Sequence, residues 1–266
     1  MGDAPTRRQV PIAEAAAEAY RCVFGHLNLL FDLAWLPLLI MLAVTLAPGY
    51  FHTYRGWITI PSWAGDDFGL TLEDAAAALA GFLCLSAFAL RWQQRLLVDG
   101  SGGRQSGFLL PWLRFLLYSL AIYLASAIIL AILLLAQRGG SAPALWALGA
   151  AILTALVWVA MVRGSLLYPA AASGTPLGFV AAWRAMRGNS WRLFACCFMV
   201  CVPIVLVAAL LLSGIVTLLR LDQLGDRVPL GFFLLRGLVT ICTNLAVAAL
   251  GATVLASFYR RIVLRT

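Results

Sequence analysis

The sequence predicts an all-α polytopic membrane protein, with six transmembrane helices and two amphipathic helices on the membrane surface. Of the 266 residues, 63% are hydrophobic and only 11% are charged, which leaves too little polar surface for a water-soluble globule. Six apolar runs approach the roughly 20 residues that a helix needs to cross the bilayer core. Helix is expected because each backbone N–H and C=O must be paired within its own span. The runs are 29–47, 75–90, 115–136, 144–162, 193–219 and 231–258, in a single integral membrane domain.

The arginines predict the orientation of these spans. All 19 basic residues are arginine, and most lie on one side if the N-terminus is placed inside. Because positive residues in short loops favour the cytoplasmic side, we expect both termini in the cytoplasm. The predicted inner arginines are Arg7, Arg8, Arg21, Arg91, Arg95, Arg104, Arg114, Arg163, Arg184, Arg187, Arg192, Arg260, Arg261 and Arg265. The predicted outer arginines are Arg55, Arg138, Arg220, Arg227 and Arg236.

Two segments outside the spans have the pattern of helices that lie on the inner membrane surface, at 9–27 and 176–191. They align with each other, since Ala19-Tyr20-Arg21 matches Ala182-Trp183-Arg184 at the same offset from the following span. Each of these following spans also contains a proline, Pro37 or Pro203, although the prolines are not in register. The pattern favours an internal duplication, about 9–165 and 176–266, as a parallel repeat.

The composition excludes several kinds of site. The net charge of +8 comes from arginines at span ends instead of a continuous patch, so no nucleic-acid partner is expected. Five of the six cysteines lie in predicted spans, where cysteine acts as a small apolar residue, and no disulfide framework is expected. The cluster Cys196-Cys197-x-x-x-Cys201 has no accompanying histidine. The sequence therefore predicts neither a metal site nor a cofactor, and no catalytic residues.

Four candidate functional or lipid-contacting positions lie near the inner side, namely Asp32, Arg91, Arg95 and Arg163. Asp32 sits about one turn into the first span, where a carboxylate is costly unless it is paired or hydrated. It is part of a proton or substrate path, or else it neutralises an inner-side arginine or reaches the interface. Of its possible partners Arg21, Arg91 and Arg163, we favour Arg163 because that arginine closes the fourth span. Arg91 and Arg95 are one turn apart and either hold a lipid phosphate or anchor the second span.

The last span carries two further candidates. Arg236 lies about five residues into it from the outer side, and its long side chain can extend to the interface. Asn244 belongs to a stripe with Thr240 and Ala248, spaced four residues apart. Such a stripe is typical of a helix-packing face, and a ligand-facing role is the alternative.

Two short tracts are similar to a known kind of protein. They are Trp92-Gln93-Gln94-Arg95-Leu96-Leu97-Val98-Asp99-Gly100, after the second span, and the ending Ser257-Phe258-Tyr259-Arg260-Arg261. These tracts and the six-span layout resemble the YciC-like inner-membrane proteins of proteobacteria and the membrane domain of some glycerophosphodiester phosphodiesterases. The resemblance implies a bacterial inner membrane and a role in envelope lipid homeostasis. This chain lacks the phosphodiesterase domain, so no catalytic residue carries over.

Two functions are consistent with these patterns. The first is that of a non-enzymatic membrane protein that binds or organises lipids or a membrane-protein partner, or that forms a homo-oligomer. The alternative is a small transporter or permease subunit with its site between the first and fifth spans, near Pro37 and Pro203. A lipid-modifying enzyme is disfavoured because acid, base and metal-binding residues are too few.

Overall fold

The computed structural model of the chain describes residues 10–51, 53–54, 57–59, 72–98, 107–138, 143–175, 177–219 and 227–264. Nearly all of them are helical. The helices are α1 (Ile12–Gly25), α2 (Leu27–Phe51), α3 (Leu72–Val98), α4 (Leu109–Arg138), α5 (Pro143–Gly164), α6 (Leu167–Ser173), α7 (Phe179–Ala185), α8 (Ser190–Leu218) and α9 (Leu230–Tyr259). The strands β1 (Thr53–Tyr54), β2 (Trp57–Thr59) and β3 (Arg227–Pro229) form a small antiparallel sheet. A π-helical turn, Arg260–Leu264, follows α9.

Each predicted apolar run falls on one of the long helices α2, α3, α4, α5, α8 and α9, which extend beyond the runs by up to eight residues. Leu219 alone, at the end of the fifth run, lies one residue beyond its helix. Four stretches among the described residues are long and apolar enough to cross a bilayer. They are Leu27–Val44, Ala151–Ser173, Ser190–Leu218 and Gly231–Leu264. The helices α3 and α4 contain 27 and 30 residues. At about 1.5 Å per residue, each exceeds the thickness of the hydrocarbon core.

Contacts between elements define one end of the helix bundle, which we call the α1 end. There α1 packs against the start of α8 and the last turns of α9. The C-terminal turns of α3 lie at the same end, because the indole of Trp92 contacts Thr253 of α9. The start of α4 adjoins them through Phe108, over whose ring the Arg91 guanidinium lies. The three-stranded sheet joins the segment after α2 to the segment before α9.

The tightly packed core also lies at the α1 end. The large side chains of Phe88, Trp92, Phe258 and Tyr259 are at most 1% exposed there. In contrast, Leu218 near the other end of α8 is 82% exposed. Exposure of large apolar side chains along whole helices is unfavourable in water and is expected where lipid covers them.

The surface helices differ in part from the prediction. The first is observed as α1, with Ala15, Ala19 and Val23 buried against its neighbours. The second is shorter than predicted, because α7 ends at Ala185 and α8 already begins at Ser190. Gly188 interrupts the helix there with a φ of 93°, a conformation that favours glycine.

Two other features were not anticipated from the sequence. The segment Leu167–Ser173 forms the short helix α6 despite Pro169, which lies in its first turn, where the missing N–H is tolerated. The three short strands were also not predicted. The internal duplication stays a prediction, although a short helix precedes a long one both at α1–α2 and at α7–α8.

Candidate functional site

The tract that begins at Trp92 packs against α9 at the α1 end, just before the second tract of the resemblance. The indole Nε1 of Trp92, in α3, donates a hydrogen bond of 2.8 Å to Oγ1 of Thr253, in α9. Both side chains are fully buried. The Thr253 hydroxyl donates in turn to the carbonyl of Ala249 at 2.8 Å. The buried Thr253 hydroxyl thus accepts one hydrogen bond and donates another. Because its partner Trp92 lies in α3, this contact restricts the rotation of α3 relative to α9.

A cluster of charges holds α1 to the end of α9. Glu18 Oε2 accepts hydrogen bonds from Ser257 Oγ at 2.8 Å and from Arg261 Nη2 at 3.0 Å. Its Oε1 lies 3.3 Å from Arg260 Nη2. Arg261 also reaches Glu14, at 3.4 Å. This cluster was not predicted from the sequence. The signals that could have indicated it are two glutamates four residues apart, Glu14 and Glu18, and two adjacent arginines, Arg260 and Arg261.

The thiol of Cys22 lies beside this cluster. Burial raises its pKa, while the nearby charge of Arg260 lowers the pKa and that of Glu18 raises it. All six cysteines lie in the described residues, where they are free thiols. No group of three or more histidine, cysteine or acidic side chains with the geometry of a metal site occurs in the described ranges.

A tyrosine of α1 forms a hydrogen bond with α8 beside an internal proline. Pro203 has no N–H, so the carbonyl of Met199, four residues earlier, lacks its helical donor. The hydroxyl of Tyr20 donates to the next carbonyl, that of Val200, at 2.9 Å and lies 3.5 Å from the carbonyl oxygen of Met199. This hydroxyl attaches α1 to α8 in the turn before the proline.

The structure does not bring Pro37 and Pro203 to a common crevice. Pro203 is exposed, and α8 packs mainly against α1 and α9, whereas α2 packs against α3 and α9. Neither proline lines any of the three cavities described below. The site between the first and fifth spans, on which a transport function depends, therefore has no structural support.

Asp32 does not pair with an arginine as expected. Its side chain is exposed on α2, and no ion pair among the described residues includes it. The three proposed partners are occupied elsewhere. Arg21 donates to the carbonyl of Ala17, Arg91 lies over the Phe108 ring, and Arg163 lies over the Trp183 ring.

The other candidates on α3 and α9 are all exposed. Arg91 and Arg95 extend from the last turns of α3, and Arg236 extends from the first turns of α9. Asn244 is exposed as well, together with Thr240, whereas Ala248 of the same predicted stripe is partly buried against the core. The packing face of α9 lies one residue further along the helix. It consists of Ile241, Leu245, Ala249 and Ala252, which are at most 4% exposed.

Arg163 is the candidate with the most distinctive environment. It is half-buried at the end of α5, and its Nε is fully buried without a hydrogen-bond partner. Its guanidinium carbon lies 4.7 Å from the ring centre of Trp183, a cation–π contact. Gly164 permits this arrangement, because a Cβ there would lie 3.3 Å from the ring of Phe179, at the start of α7.

Arg163 lies at a groove between α5 and α8. The groove has a volume of about 570 Å³ and is lined almost wholly by apolar side chains. Trp158 and Phe194 meet across it edge to face, with 4.7 Å between ring centres. The lining residues are Ala155, Trp158, Val159, Val162, Arg163, Ser190, Trp191 and Phe194.

Two other apolar cavities lie on either side of Tyr168. One, of about 400 Å³, is lined by residues of α3, α4, α5, α6 and α9. The other, of about 190 Å³, lies between α4, α5 and the start of α7. Their polar groups are few and already bonded: Ser86 accepts from Trp112, and Ser119 donates to the Tyr168 hydroxyl. These cavities are suited to apolar groups, whereas the α5–α8 groove combines an apolar wall with a cation.

Comparison of the chain with protein-family models, curated proteins and solved structures found no match. The resemblance to the YciC-like proteins and to the phosphodiesterase membrane domain stays a prediction. Functional inference therefore depends on the site itself.

Proposed function

We propose that this chain is a six-span protein of the bacterial inner membrane that binds membrane lipids and is not an enzyme. The α5–α8 groove carries this proposal, because apolar walls and a single half-buried guanidinium match the two parts of a phospholipid. Its volume lies within the roughly 300–1,000 Å³ range of small-molecule sites. Reversible binding of a lipid requires no catalytic residue and no cofactor.

The distribution of arginines supports the proposed orientation. Most of the arginines assigned to the inner side are among the described residues. They lie in α1, in the adjoining ends of the long helices, or in the segments that join these helices at the α1 end. Arg138, Arg227 and Arg236 lie elsewhere, as the prediction requires. Arg7, Arg8, Arg55, Arg104, Arg220 and Arg265 lie outside the described residues. The α1 end is therefore the proposed cytoplasmic end.

Reporter fusions test the topology. A fusion after Arg265 and one between Gly100 and Arg104 should be active as cytoplasmic reporters, and one at Gly65 as a periplasmic reporter. A periplasmic C-terminus would require an odd number of spans and would refute the arrangement.

Lipid binding is tested by removing lipid from the purified full-length protein. Detergent exchange that strips phospholipid should lower the melting temperature, and addition of phospholipid vesicles should restore it, because a ligand that binds only the folded state stabilises it. Equal melting temperatures with and without phospholipid would contradict the proposal.

A further inference from the structure

The groove between α5 and α8 has a chemistry more specific than lipid binding in general. We propose that it binds one anionic glycerophospholipid, with the headgroup phosphate on Arg163 and an acyl chain along α5. This inference rests on the proposed lipid-binding function and names the class of lipid and the residue that recognises it.

The first argument concerns the charge. Arg163 is the groove's charged residue, and no acidic side chain pairs with it in the part of the chain that the structure describes. The guanidinium is half-buried, and its Nε–H, which is enclosed by the protein, has no acceptor there. A partly desolvated charge without an acidic partner is costly, so an anion that pairs with the terminal N–H groups of the guanidinium is favoured. Phosphate oxygens suit a guanidinium because they accept in its planar geometry.

The second argument concerns orientation. Stacking on Trp183 occupies one face of the guanidinium and restricts its rotation. Ser190, the first residue of the 29-residue helix α8, lines the same end of the groove. The N–H groups in the first turn of a helix favour an anion, and so they add to the attraction of Arg163.

The third argument distinguishes a phospholipid from a free phosphate. The apolar wall on α5 is formed by Ala155, Trp158, Val159 and Val162, which recur with helical spacing on one face. They extend over about 10 Å along the helix axis, at 1.5 Å per residue. The guanidinium lies at only one end of this wall, so a charged head and an extended apolar chain occupy the groove together.

The depth of the site agrees with this occupant. Arg163 lies at the α1 end, where the proposed topology places the cytoplasmic headgroups, and the wall runs from there towards the membrane centre. The exposed Arg184, in the last turn of α7, and Arg187, between α7 and α8, add positive charge at the same end of the bundle. Basic pockets at the cytoplasmic side of spans attract anionic headgroups.

Native mass spectrometry of the full-length protein tests the inference. Phosphatidylglycerol and phosphatidylcholine with identical acyl chains are titrated into lipid-stripped protein. One phosphatidylglycerol should be retained more tightly, and Arg163→Gln should weaken it about tenfold. The same substitution should weaken phosphatidylcholine less, because the choline cation already offsets the charge of that lipid's phosphate. The matched control is Arg114→Gln, which removes an exposed arginine at the same end of the bundle and should have no effect on this lipid molecule.

A photoreactive phosphatidylglycerol with its reactive group in the acyl chain provides a second measurement that needs no variant. Its crosslinks should map to the groove, at Trp158 or Val159. Binding of both lipids without preference, or equal loss in both arginine variants, would overturn this inference but leave lipid binding intact. Retention of no lipid would overturn both proposals. A dimer without bound lipid, crosslinked through the groove, would identify a second copy as the occupant and would also overturn the inference.

Discussion

Replacing Glu18 with glutamine should loosen α1 from the bundle. The substitution keeps the shape of the side chain and an oxygen that can accept from Ser257, but it removes the negative charge from Arg260 and Arg261. The matched control is Glu14→Gln, which makes the same chemical change one turn earlier on α1. Glu14 has a single contact, at 3.4 Å to Arg261, and its side chain is 70% exposed.

The expected loss follows from the contacts and their exposure. The Glu18 side chain is 32% exposed, so solvent screens part of each ion pair. Two such pairs at about 0.2–1 kcal/mol each, together with a weakened bond from the Ser257 hydroxyl, give about 1–2 kcal/mol for Glu18→Gln. For Glu14→Gln we expect less than about 0.5 kcal/mol. Since Ala15, Ala19 and Val23 stay buried, α1 should loosen without global unfolding.

Denaturant titration in detergent measures the total stability, and hydrogen exchange of the α1 amides measures the local effect. Faster exchange in α1 should accompany Glu18→Gln. A double variant with Arg261→Gln should lose less than the sum of the two single losses. If Glu18→Gln and Glu14→Gln are indistinguishable in both measurements, the charge cluster does not hold α1 in place and the reasoning fails.

Three further predictions concern the same end of the molecule. Tyr20→Phe removes the donor to the Val200 carbonyl and should cost about 1 kcal/mol in detergent unfolding; an unchanged midpoint would contradict it. Trp92→Phe should cost about 1–2 kcal/mol because the buried Thr253 hydroxyl loses its donor, and Thr253→Val in the same background should then add little. Burial raises the pKa of the Cys22 thiol. In a variant that keeps Cys22 and lacks the other cysteines, alkylation at pH 8 should therefore be slower than that of a small thiol and should accelerate as the pH rises through the raised pKa. Alkylation as fast as that of the small thiol would contradict burial.

The sequence sufficed to place the long helices because burial in lipid requires long, uninterrupted apolar segments. All six runs lie in helices, and four stretches meet the length and apolarity needed to cross a bilayer. The surface helix α1 was predictable in the same way from its amphipathic pattern. Its partners were not, because hydrophobic periodicity shows which face is apolar but not which helix covers it.

Side-chain pairing was less predictable, as two residues show. Asp32 and Arg163 were expected to pair because both lie near the inner boundary, yet depth along a helix does not determine rotation about its axis. Arg163 faces α7 and α8 instead and stacks on Trp183, a contact that no charge-matching argument finds. Asn244 illustrates the same difficulty, since its stripe is displaced by one residue from the observed packing face of α9.

An experimental structure of the full chain in a nanodisc that contains phosphatidylglycerol tests the central claim most directly. The account predicts that α5 and α8 cross the bilayer and that an elongated lipid density occupies the groove between them. The head of this density should lie within hydrogen-bond distance of Arg163, and its tail should run beside Trp158 and Val159. A groove that is empty of lipid, or a pair of helices lying outside the bilayer, would contradict it.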